Sequence, residues 1–222
     1  MPLIGHRSPM HLLLLLLFWC SGFQTASGPA TQSQITVQCA PPVVRRVPID
    51  PSRTHSGSPT THPNEAAITL QLDCRVKLDG EILSKSQRPD GQWQITARVV
   101  GGRIELALED VIYLPMNATL PLRIHEEGHR EINERLYRAK AEAIALRAAT
   151  QTVARDLTNS AADPDAALGE AITEAEKQIR QRTQRTFVEQ AQHIADRFDR
   201  ITNHGQRDVD PREAIDWAFQ EN

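Results

Sequence analysis

From residue 121 almost to its end the chain repeats apolar residues at helical spacing in two long runs, and this repeat limits the folds open to it more than any other feature. In the first run His125, His129, Ile132, Leu136, Ala143, Thr150 and Val153 fall on one stripe at about 100° per residue. In the second the stripe is Leu168, Ile172, Ala175, Ile179, Phe187, Ala191, Ile194, Phe198 and Ile201. A helix-breaking stretch at 159–162 separates them. Asp163 then serves as N-cap and Pro164 as first helical residue, where its missing N–H costs nothing. The second helix should stop at 203–205, because glycine favours the left-handed end conformation. A short last helix opens at Asp210, Pro211 and Glu213 and carries Trp217. Two matching stripes across a short break predict an antiparallel helical hairpin.

Ahead of the helices the period changes to two. Ile68, Leu70 and Leu72 alternate with Thr69, Gln71 and Asp73, and Asp79-Gly80 and Asp90-Gly91 are turn signals. Residues 92–100 and 103–113 flank Gly101-Gly102, a natural two-residue hairpin loop. Trp93, Ile95, Ala97 and Val99 form one strand face for packing against helices. The expected fold is therefore α+β, a small antiparallel sheet over 66–114 followed by the long helical hairpin over 121–222, together one domain. Residues 40–65 are rich in Pro, Ser, Thr and His with little periodicity, so 28–65 reads as a flexible segment and linker, with His55 and His62 as solvated loop histidines.

The beginning has the order of a secretory signal peptide over 1–27: His6 and Arg7, an apolar run at 12–19, then Ser21, Gly22, Ala26 and Ser27. That run is too short to span a membrane and no later stretch is long enough, so the expected product is secreted or periplasmic, with no integral membrane segment. Cys20 would suit a lipid anchor, but Phe18 and Trp19 before it are a poor match to the small residues such a site prefers. With Cys20 removed, Cys39 and Cys74 are left to form one disulfide in an oxidising compartment. They are too far apart, without C-x-x-C spacing, to suggest a metal role. The net charge of −3 with both signs interspersed and no basic block argues against a nucleic-acid partner.

The first helical run contains HEEGH at 125–129. Histidines four apart share a helical face, so His125 and His129 can aim ring nitrogens at one ion, while Glu126 sits about 100° to the side. That offset suits a general base, which must take a proton from a water without itself filling a ligand position. Zinc is the expected metal, since nitrogen ligands with an open fourth position suit its tetrahedral preference. Glu127, Glu131 and Glu134 read as a solvated helical face, and Tyr137 as a packing tyrosine.

HEEGHREI at 125–132, followed by FDRITNHG at 198–205 and Trp217, resembles the bacterial family called domain of unknown function nine hundred twenty-two. Its members are described as predicted secreted zinc-dependent proteases, with an HE-x-GH motif and a later element close to YDxxTxHG. The likeness covers about the last hundred residues. Two departures stand out: Phe198 takes the place of the family's tyrosine, and Arg130 and Glu131 replace an aromatic and an acid. The resemblance implies a zinc-dependent peptidase acting on a peptide or protein substrate. A different class, a cell-envelope binding or structural protein with a structural or vestigial metal site, would carry the same motif without the activity.

The third metal ligand lies between His193 and His204. A straight hairpin turning near residue 161 puts His193 level with His129 and His204 roughly 16 Å beyond. His193, however, lies about 120° off the stripe of Ile194, Phe198 and Ile201. His204 follows the helix beside Gly205, where a bend can return the chain, and it is the histidine that the resemblance selects. His204 is thus the expected third ligand, while Asp199 and Thr202 suit either of two roles, orienting a ligand histidine or capping at the surface.

Overall fold

Two unusually long strands form the backbone of the molecule, β3 at Ala67–Gln87 and β4 at Trp93–Pro115. The structure, a computed structural model, describes residues 34–50 and 66–220; the expected signal segment, Cys20, His55 and His62 lie outside them. The other elements are β1 at Gln34–Cys39, β2 at Val43–Ile49, α1 at Leu120–Val153, β5 at Leu157–Ala161, α2 at Pro164–Thr202 and α3 at Pro211–Gln220.

The expected small antiparallel sheet is overturned. The sheet has five strands, and β1 and β2 run parallel to β4, the strand they pair with. β3 lies antiparallel along nearly the whole of β4, while β5, β1 and β2 follow one another along its opposite edge. Gly101-Gly102 is no hairpin loop: it sits in mid-strand, paired with Gln34 and Ile35 on one side and with Asp79 and Leu78 on the other. Asp79-Gly80 likewise lies inside β3, at a register shift that bends the strand. Of the proposed turns, Asp90-Gly91 makes the β3–β4 connection, with Gly91 at φ +85°.

The stretch beginning at residue 40 is not all linker. Pro41 and Pro42 have no N–H to give, so the ladder along β4 breaks there and resumes as β2. Ala40 N–H still donates to Leu106 O at 2.8 Å, and the Tyr137 hydroxyl lies 3.0 Å from Ala40 O and 2.9 Å from Leu106 O, its one proton shared between them. Tyr137 is therefore a bolt between α1 and the sheet.

The helices cover one face of the sheet. Leu72, Cys74, Val76 and Leu78 of β3 and Ile104, Leu106 and Leu108 of β4 point into them, meeting Ile132 and Leu136 of α1 and Ile179, Phe187 and Ile194 of α2. Each such side chain, once buried, contributes about 1.5–3 kcal/mol. Ala143 and Thr150, placed on the inner stripe of α1 by periodicity, are exposed, while Ala141, Ala145 and Ala148 are buried in their stead. The outer edge of β3 is closed by α2: the Gln184 amide donates to Leu72 O at 2.8 Å, and Leu78 N–H donates to the Glu176 carboxylate at 3.0 Å. α1 starts from a Thr119 cap, its hydroxyl accepting from Leu122 N, and α2 from Asp163, its carboxylate accepting from Ala166 N.

Cys39 and Cys74 are free, contrary to the expected disulfide. Both face Leu106 from opposite sides, Cys39 on β1 and Cys74 on β3. Two strand spacings separate them by about 9.6 Å, beyond the reach of a disulfide. Alkylation of the unreduced, denatured protein is expected to label both thiols, and protection of the pair would show that the strands are ordered differently.

Asp110 of β4 is buried and accepts from the Asn133 amide at 2.9 Å, while its other oxygen has no hydrogen-bond partner among the described residues. Burial pushes its carboxyl up to about 6, against a smaller lowering by Asn133. The neutral acid is the favoured buried form. Its contribution to stability is therefore full below about pH 4 and is lost as pH rises through about 6. Asp110→Asn should remove this slope and gain about 3 kcal/mol relative to the parent at pH 7, measured by denaturant unfolding across that range. Parallel curves for parent and variant would contradict it.

Candidate metal centre

Three ligand atoms converge where α1 meets the end of α2. His125 Nε2 and His129 Nε2 are 3.2 Å apart, and Asp199 Oδ1 stands 3.1 Å from the first and 3.0 Å from the second. An ion held at about 2.0–2.1 Å from all three would lie about 1 Å off their plane, so the triangle has the size that zinc requires. The histidines are largely buried, and Asp199 is partly accessible. Asp199 Oδ1 is itself buried and has no hydrogen-bond partner, although two ring nitrogens stand at contact distance, because neither approach has hydrogen-bond geometry. A buried anionic oxygen facing two imidazole nitrogens in this way fits a shared cation.

Thr202 indicates which His125 nitrogen carries the proton. Its hydroxyl donates to Phe198 O at 2.8 Å, so toward His125 Nδ1, 3.4 Å away, it can only accept. His125 is then protonated at Nδ1, leaving the Nε2 lone pair for a metal. Burial pushes the Asp199 carboxyl up, but His125 and His129 beside it outweigh this and hold it well below the ordinary carboxylate range. Its charge is thus present throughout the neutral range.

Packing sets these positions. The Phe198 ring is buried, stacked on His125 at 5.2 Å between centroids and 15° between planes, and edge-on to His129 at 5.2 Å. Its far end presses on Gly128, where an added Cβ would stand 2.4 Å from Cζ. This explains the glycine of HEEGH, and a phenol oxygen in place of the Phe198 hydrogen would press on α1 rather than reach the ligand atoms. After Thr202 the chain turns through Asn203, His204 and Gly205, all left-handed, at φ 48°, 54° and 77°. A Cβ on Gly205 would come within 3.0 Å of His125 Cβ, so this glycine is needed both for its conformation and for its lack of a side chain.

Of the residues selected from sequence, His125 and His129 meet as expected and Glu126 lies beside them, buried. Burial pushes the Glu126 carboxyl up, partly offset by His129 and His125. His204 lies at the margin of the group: its side chain is 73% exposed and its Nδ1 is 3.8 Å from Asp199 Oδ1. Asp199, expected at most as an orienting partner, is the residue whose carboxylate oxygen meets both histidine nitrogens. The facing residues 127 and 199 put the hairpin's pivot at residue 163, not 161, and that shift of two moves the facing position by four. His193 is exposed on the outer side of α2. The capping pair Asp163-Pro164 was the signal that would have fixed the pivot. Glu127 and Glu134 are engaged with Arg46, Arg130 and Arg138, tying β2 to α1.

No protein-family model, curated protein or solved structure matches this chain.

Thr202→Val keeps the volume but loses the acceptor, and is expected to weaken zinc binding by roughly 10- to 100-fold, while Thr202→Ser retains it. Gly128→Ala should cost about 1–3 kcal/mol and weaken zinc binding as well, since Phe198 must move. Competition with a chelating dye measures both; equal affinity in the valine and serine variants would remove Thr202 from its role.

Proposed function

We propose that this chain is an exported zinc-dependent peptidase, in which His125, His129 and Asp199 hold the metal and Glu126 moves the proton, and that it belongs with the family whose motif pair it resembles. The observation that carries this reading is the convergence of His125, His129 and Asp199, with the buried Asp199 oxygen left without a hydrogen bond. It also brings the two motifs of the resemblance, at 125–132 and 198–205, into one place. Among the described residues no helix is long and apolar enough to cross a membrane.

When bound, zinc supplies a Lewis acid that polarises a peptide carbonyl and an attacking water. Glu126 takes the proton of that water and delivers it to the departing amine nitrogen. Glu126 is buried beside the two histidines, where its carboxylate is held away from bulk solvent and next to the position the water would take. Thr202 holds the His125 ring, and Phe198 covers one face of that ring and packs edge-on to His129.

One observation favours a second reading, a binding or structural protein with a closed metal site: His204 lies close enough to Asp199 to add a fourth protein ligand from its turn. Zinc content after mild dialysis separates the two. The parent, Glu126→Gln and His204→Ala are expected to retain zinc, and His125→Ala, His129→Ala and Asp199→Ala to lose it. Glu126→Gln should also lose roughly 100-fold or more in peptide hydrolysis. Loss of zinc from His204→Ala as complete as from Asp199→Ala, with no hydrolysis by the parent, would establish the second reading.

A further inference from the structure

A groove of about 730 Å³ lies away from the metal centre, between the outer faces of α1 and α2. It begins at Lys140, eleven residues or about 16 Å along α1 from His129. Lys140 and Arg147 come from one helix and Arg182 and Arg185 from the other, and no carboxylate is among the residues that line it. The sequence shows no basic block because these cations are dispersed along the chain; the hairpin gathers them. Arg185 approaches the exposed Glu189 at 4.0 Å, whereas Lys140, Arg147 and Arg182 have no ion pair among the described residues. Four like charges around one groove repel one another unless an anion is supplied, in a chain whose net charge is negative.

We propose that this groove docks an extended, acidic polypeptide segment. The cations spread along about 10 Å of α1, from Lys140 to Arg147, which suits several carboxylates in series better than a single small anion. Ile144 and Ala148 form an apolar floor for the methylenes of aspartate or glutamate side chains, and Gln151, Thr186 and Gln190 add hydrogen-bonding groups for a peptide backbone. No aromatic side chain lines the groove, so it lacks the stacking surface that a single-stranded nucleic acid uses. Its floor lies between two helices, where a flat lipid surface does not reach. The inference is independent of zinc and of hydrolysis.

The test is fluorescence anisotropy of a labelled oligoglutamate with the purified full chain at low salt, with oligolysine, oligothymidylate and phosphatidylglycerol vesicles as comparisons. Oligoglutamate is expected to bind, and to bind more weakly as salt is raised. Arg147→Glu and Arg182→Glu should each weaken it by about tenfold, and Arg155→Glu, an equal charge change outside the groove, should not. Thermal unfolding checks that the variants are folded, and Arg147→Gln and Arg182→Gln replace any that are not. Absence of binding, equal affinity in the groove variants and parent, or tighter binding of oligothymidylate or vesicles would each overturn the proposal.

Discussion

Phe198 seated in the notch left by Gly128 is the contact on which the rest of the arrangement depends. A hairpin of two helices can slide, and each residue of slip moves a side chain about 1.5 Å along the axis, half the spacing between the three converging ligand atoms. Only at a glycine can a ring come this close to the helix opposite, so the contact fixes one register. In that register the next residue, Asp199, faces both histidines, and Thr202, one turn on, reaches the far side of His125. Side-chain identity at two positions thereby determines the alignment of helices of 34 and 39 residues.

The helices were legible because their signals are local. Caps at Asp163 and Asp210, the prolines that follow them and the left-handed stop at 203–205 act within a few residues, and the apolar stripe of α2 matches its buried face closely. The stripe of α1 drifted, since small alanines and not large apolar residues fill its second half. The sheet was illegible for the opposite reason. Glycine pairs and Asp-Gly read as turns when the chain is considered alone, but at Gly101-Gly102 the flanking strands supply partners on both sides and keep the backbone extended. Proline-rich composition likewise hid β2, whose partner lies more than sixty residues away.

The site was half legible for a related cause. Two histidines and a glutamate within one helical turn announce themselves by spacing, because a helix turns spacing into direction. The third converging group, Asp199, comes from another element, and its level depends on where the hairpin pivots. A difference of two residues there was enough to set His193 level with His129, while His204 came into consideration through the resemblance and the bend at Gly205. Gly128, read only as a letter of the motif, acquires its physical meaning from the Phe198 ring opposite it, and Gly205, read as a helix stop, from the His125 side chain it must clear.

The parallel pairing of β1 with β4 also fixes an order of events. Gln34 finds its partner at Gly101, 67 residues later in the chain, and Val43 finds Glu109. A chain delivered from its N-terminus at 5–20 residues per second therefore presents β1 and β2 for roughly 3–13 seconds before β4 follows. During that interval two strands with unsatisfied backbone groups stand ready to pair with any edge they meet, including another copy of themselves. The β3–β4 ribbon must then close on itself and recruit them from behind, so the earliest part of the described chain to be made is among the last to be secured.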